Sequence, residues 1–214
     1  MARNKYPEET KKLIIEKATE LFLLNGYENT TVQDIIDHLG GLTKGAVYHH
    51  FSSKNDILLA VMANMYSENH LLADWAKVLK QTDLNGKEKI KKMFLMSLTD
   101  ADEMKFASMK VDYKKTPELL CDYLNRTVSH LAPTFFEPAI YEGIADGSIQ
   151  TDYPAELAEV MLVIANIWLN PIVFPCGDEK LKTKFLFLCD LAEKFGIDGL
   201  LNDIYPAFEQ YTHQ

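Results

Sequence analysis

The chain has 214 residues, 47% of them hydrophobic, with a formal net charge of −9. That length and apolar content fit one ordinary domain, or a small one leaning on a larger one, and exclude a disordered tail. Cys121, Cys176 and Cys189 are odd in number and never at CxxC spacing, which argues against a disulfide framework or zinc site and for a reducing cytosol.

The opening MARNKYPEETKK has no apolar core, so no signal peptide is expected. A first helix runs from about Glu8 to Asn25, with Leu13, Ile14, Ala18, Leu21, Phe22 and Leu24 at three- and four-residue steps, and Asn25-Gly26 stops it. Thr30 or Thr31 caps a short helix that turns Val32, Ile35, Ile36 and Leu39 inward and ends at Gly40-Gly41. Thr43 caps a second short helix, Lys44 to His50, and Ser52 or Ser53 caps a long one reaching towards Leu79. After Asn85-Gly86 the pattern predicts helices over 87–99, 102–114 and 116–131, then one punctuated by Pro133 and Pro138 that reaches Ala145. DGSIQTDYP is a connecting loop, followed by apolar helices over 155–170 and 178–195 and a weak terminal one. The stretch Val160 to Pro175 is uncharged but broken by Asn166, Asn170 and Pro171, and a membrane span wants about 20 predominantly apolar residues, so a buried helix is the reading. The predicted fold is all-α: a three-helix head, residues 1–52, and a larger helical body, residues 53–214.

Charge is unevenly spread. Residues 1–56 carry a net −1 and the remainder −8, and no acid occurs between Asp37 and Asp56. A polyanion is repelled by most of this chain and tolerated near its N-terminus. The acid-free passage GGLTKGAVYHHFSSK holds the second of two short helices and the tight glycine turn that separates them, the pattern of a helix-turn-helix whose second helix enters the major groove. In that pattern Thr43 caps and offers a hydroxyl, Lys44 faces the duplex, and Gly45 lets backbone come close. Ala46 is small enough to meet a thymine methyl, while Tyr48 and His49 extend the exposed side and Val47 and Phe51 point inward. Lys54 and Thr31 stand at helix starts, where phosphates are attracted. His49 and His50 are neighbours pointing about 100° apart, which disfavours a shared metal.

TTVQDIIDHLGGLTKGAVYHHFSSKNDIL, with the preceding helix and its Ala18, Phe22, Gly26 and Tyr27, resembles the DNA-binding head of the TetR family of bacterial transcriptional regulators over about residues 10–62. YEGIADGSIQTDYP is similar, more weakly, to the loop before that family's dimer-forming helices. The family's commonest turn has one glycine; Gly40-Gly41 adds a residue. The resemblance implies an all-α homodimer binding a palindromic operator, usually as a repressor. It matches Thr43, Lys44, Gly45, Ala46, Tyr48 and His49 to recognition-helix contacts, and Thr31 and Lys54 to phosphate-contacting caps.

Two stripes are expected at the dimer face: Leu157, Val160, Met161, Ile164 and Trp168 on one late helix, and Leu181, Phe185, Leu188, Cys189 and Ala192 on the next. Residues 60–145 supply adaptable groups for a small hydrophobic effector, among them Met62, Tyr66, His70, Met93, Met96, Phe106, Met109, Tyr113 and His130. No grouping suggests a metal, a cofactor or a catalytic triad, so an enzyme is not expected. The leading expectation is a cytoplasmic, ligand-released repressor with double-stranded DNA, a second copy and a small effector as partners, and no membrane. The rival is a helical ligand- or partner-binding module whose head does not read DNA.

Overall fold

A computed structural model describes residues 7–68, 70–100, 105, 108–201 and 204–212. The chain is all-α, with no strand among the described residues. It divides into two compact units: residues 1–69 with 102–116, and residues 70–101 with 117–214. The first unit thus takes in more chain than a head ending at residue 52.

In the first unit, α1 (Pro7–Asn25) buries Ile14, Ala18, Leu21 and Phe22. Gly26, at φ +82°, stops it by donating its N–H to Phe22 O at 3.0 Å. Leu24, expected inward, is 79% exposed, because two steps beyond Phe22 lead to the far side of the helix. α2 (Val32–Asp37) and α3 (Lys44–His50) follow, then α4 (Lys54–Glu68), which buries Ile57, Leu58, Val61 and Met62. Ser53 caps α4: its hydroxyl accepts the Asp56 N–H at 3.0 Å, and the Asp56 carboxylate accepts the Ser52 N–H at 2.9 Å. The long helix predicted towards Leu79 is two helices, with α5 (Leu71–Leu79) starting afresh after the polar run that ends at His70.

The helix expected over 102–114 does not extend to its end. Residues 110–116 are loop and turn, with Lys110 at φ +51°. Met109, Val111 and Tyr113 are all buried, an alternation of period two rather than the helical period. The Met109 carbonyl accepts the Tyr27 N–H at 2.9 Å, so this late segment is fastened to the loop after α1.

In the second unit, α6 (Gly86–Leu98) starts at Asn85, whose side chain caps Glu88 N while the Glu88 carboxylate takes the Asn85 N–H. Next come α7 (Pro117–Arg126), a π-helical stretch Thr127–Phe136 and α8 (Glu137–Asp146) in one unbroken run. Helix was predicted to break at Pro133. It continues because the register widens to bonds spanning five residues, as from Glu137 N–H to Ala132 O, relieving the tight turn that a proline ring disrupts. α9 (Pro154–Val163) also ends in a π-helical stretch, Ile164–Trp168, before α10 (Asp178–Lys194) and α11 (Tyr205–Thr212).

The core of this unit centres on Trp75, whose indole N–H donates to Met93 O at 3.1 Å and whose ring meets Phe135 and Phe136 edge-on, 5.3 Å from each. Buried Lys89 is compensated by the Glu142 carboxylate at 2.6 Å and Leu79 O at 3.1 Å. Where α6 meets α8 the backbones nearly touch: a Cβ at Gly86 would lie 2.1 Å from Gly143 N. No described helix is long and apolar enough to cross a membrane.

Candidate nucleic-acid interface

α2 begins in a capping box. Thr31 is its cap: the hydroxyl accepts Asp34 N–H at 3.1 Å, and Asp34 Oδ2 accepts the Thr31 N–H at 2.7 Å. Thr30 is buried instead, with its hydroxyl donating to Gly26 O at 3.0 Å. Ile35, Ile36 and Leu39 face the core as their spacing required. The turn to α3 then uses Gly40 at φ +63° and Gly41 at φ +99°, conformations that L side chains rarely adopt. Both glycines are therefore conformational, and the extra residue belongs to a turn built for it.

Thr43 caps α3 by accepting the Ala46 N–H at 3.3 Å. Val47 and Phe51 anchor this short helix to the core of the unit. Thr43, Lys44, Gly45, Tyr48 and His49 are exposed, and Ala46 is half-buried between them and the core. Tyr48 is 45% exposed, and its ring lies 5.7 Å from the Lys44 Nζ one turn earlier. The six residues expected on the outward side are thus brought together on one short rod. Gly45 has an ordinary helical backbone, and a Cβ there would meet nothing in the chain nearer than Thr43 Oγ1 at 3.9 Å. Nothing in the fold asks for glycine at that position.

The two expected phosphate caps are placed differently. The backbone N–H and the hydroxyl of Thr31 are engaged with Asp34, so a carboxylate stands where an anion would dock. Hydrogen bonds from the Thr31 backbone and hydroxyl hold the Asp34 carboxyl below its ordinary value. Lys54 turns inward, donating to Tyr27 O at 2.9 Å and Thr30 O at 3.0 Å, with its ammonium 4.1 Å from the centre of the Tyr27 ring. The cap was legible as Thr30 or Thr31; the inward path of Lys54 was not legible, since its partners lie 24 and 27 residues away.

The family profile "Bacterial regulatory proteins, tetR family" matches residues 14–61, which is this helix-turn-helix and its flanking helices. Residues 14–61 thus match the DNA-binding head of the TetR family. The HTH-type transcriptional regulator SrpR of Pseudomonas putida is 44% identical over 57 residues, 27% of this chain and 26% of SrpR. The chain thus spans about a quarter of that relative's length. The HTH-type transcriptional repressor KstR2 of Mycolicibacterium smegmatis is 26% identical over 155 residues, 71% of this chain and 73% of KstR2. A TetR-family regulator from Pectobacterium atrosepticum, known from its crystal structure, shares the fold with a TM-score of 0.59 at 19% identity, over 92% of this chain and 98% of that one.

The residues expected at an effector pocket are divided between the two units. Met62, Tyr66, Met109 and Tyr113 belong to the first unit, where Met62, Met109 and Tyr113 are buried. In the second unit, Met93 is fully buried in the core, Met96 packs against it, and His70 and His130 are exposed. Phe106 lies outside the described residues. The expected dimer stripes also divide. Leu157, Leu181, Phe185, Leu188 and Ala192 are buried in the unit's own core. Val160 is exposed, while Met161, Ile164, Trp168 and Cys189 are half-buried. Sequence reasoning missed Leu186 and Phe187 of α10, 51% and 55% exposed, with the Phe187 ring 6.0 Å from that of Trp168. Their signal was two large apolar residues at consecutive positions, of which one helix stripe can bury only one.

Proposed function

We propose that this chain is a TetR-family repressor that binds a palindromic operator as a homodimer and is released by a small hydrophobic effector in its C-terminal body. The observation that carries the reading is the outward side of α3, where Thr43, Lys44, Gly45, Ala46, Tyr48 and His49 lie together and Gly45 serves no need of the fold. With few cations per head, one head alone binds DNA weakly, and a dimer recovers affinity by linking two. Its two recognition helices would stand one helical turn apart, about 34–36 Å. We assign to the second copy the apolar residues that the unit leaves open: exposed Val160, Leu186 and Phe187, with half-buried Met161, Ile164 and Trp168, whose ring lies 6.0 Å from that of Phe187. An effector that prefers a dimer with another head separation lowers operator affinity, and operator DNA lowers effector affinity by the same factor. α4 is the lever in this reading: it begins directly after the recognition helix and runs to the end of the first unit.

The test is a labelled duplex from upstream of the protein's own gene, titrated with protein at low salt. A mobility shift is expected, and it should vanish when Lys44 and Tyr48 are both replaced by alanine. A wild-type protein that leaves the duplex unshifted sinks the DNA-reading role and leaves the helical module with a silent head.

A further inference from the structure

We infer that Lys54 is a positioning residue, which locks the two ends of the helix-turn-helix together and leaves phosphate contact to α3; the inference rests on the DNA-reading role proposed above. Lys54 is the first residue of α4, just behind α3. The carbonyls it holds, Tyr27 O and Thr30 O, belong to the loop that leads from α1 into the Thr31 cap of α2. One side chain therefore joins the entrance of the unit to its exit, with α2, the glycine turn and α3 between them in sequence. An ammonium has three N–H donors, and here two are committed to carbonyls while a tyrosine face takes up the charge. One donor remains, and a phosphate there would have to share an ammonium already held by both carbonyls and the ring.

The other end of the tie is rigid. The Tyr27 N–H is held by Met109 O at 2.9 Å, and the Tyr27 ring meets Phe22 edge-on at 5.2 Å. Gly40 and Gly41 make the turn between α2 and α3 a flexible joint when unsupported, so the angle of α3 needs a brace from outside the turn. Lys54 supplies it. Removing the ammonium should tilt the recognition helix, which harms the reading of bases, while leaving the sequence-blind attraction to phosphates in place.

The experiment uses the full-length protein and fluorescence anisotropy over a salt series. The probes are a duplex enriched from a random-sequence pool by the wild-type protein and a scrambled duplex of equal length. All measurements are made at a temperature where circular dichroism shows each variant as helical as wild type. Lys54→Met is expected to lower the ratio of affinities for the two duplexes by about tenfold, within the range of one mis-read base pair, with the scrambled duplex and the salt slope unaffected. Lys44→Ala should instead weaken both duplexes and flatten the salt slope by about one per head. A Lys54→Met protein that flattens the slope as Lys44→Ala does, or that keeps the wild-type ratio, overturns the inference. Should Lys54→Met not fold, Tyr27→Leu keeps both carbonyls and removes the ring beneath the ammonium. It is expected to lose discrimination at constant slope, and retention of the ratio again overturns the inference. Wild-type protein that enriches no duplex at all is a different result, the failure of the DNA-reading role itself.

Discussion

At position 45 the recognition helix carries glycine, a poor helix former, in its first turn, with open space where a side chain would stand. Alanine there should stabilise the head by about 0.5 kcal/mol, because glycine pays extra backbone entropy. The same methyl should weaken operator binding by about tenfold, roughly 1.4 kcal/mol, if backbone approaches the duplex closely. A thermal melt and a binding titration of Gly45→Ala are expected to move in opposite directions, and a variant improved in both would remove the functional account of this glycine. His50 makes a second prediction. Its Nε2 is enclosed with no hydrogen-bond partner among the described residues, and burial first, then the His49 and Lys11 charges, lower its pKa, with Glu8 opposing. An unfolded chain binds that proton at its ordinary pKa of about 6.5, so the folded head is penalised as pH falls below that value and recovers above it. Melting temperature should therefore drop between neutral pH and about pH 5, and His50→Leu should flatten the part of that slope due to this residue. His50 ends the recognition helix and Lys54 begins the next; how far each faces solvent was not legible from either position.

Among the elements, the second short helix of the head was legible to the residue and the caps of its neighbours to within one residue, because caps and glycines are local signals. Thr31, Thr43 and Ser53 each satisfy their own helix within three residues. Elements whose ends depend on distant partners were misjudged. The segment after Met109 alternates buried and exposed residues because it lies against the loop after α1, and the run through Pro133 continues because a wider register tolerates the ring. The backbones of α6 and α8 approach closely at Gly86 and Gly143. A methyl on Gly86 would sit 2.1 Å from Gly143 N and 2.3 Å from Ala139 O, both backbone atoms that cannot rotate away. Gly86→Ala is expected to cost about 3 kcal/mol in chemical denaturation, at the upper end for overpacking, because two helices must separate. A loss below about 1 kcal/mol would mean that the helices part more easily than their backbone spacing implies.

For the whole molecule, the proposed dimer turns on apolar surface that the second unit does not use. Phe187→Glu should leave helicity intact, since the ring is 55% exposed, yet convert the dimer to monomer in sedimentation. Operator affinity should then fall by about a hundredfold, the low end of what linking two sites contributes. A Phe187→Glu protein that remains dimeric would move the interface to another face. Four of the five residues first drawn as a dimer stripe on α10 lie on the side of that helix that the unit covers itself. Leu181, Phe185, Leu188 and Ala192 have the ideal spacing for a buried seam, and the chain's own core is what buries them.

Sequence alone determined the all-α class, the head, its caps and the outward residues of α3, because those rest on periodicity, capping and glycine conformation, which act over a few residues. Tertiary structure decided the direction of the Lys54 ammonium, the unit to which Met109 and Tyr113 belong, and which apolar stripe stays open. Each of those is a competition between solvent and a partner far along the chain, and no local pattern records its outcome.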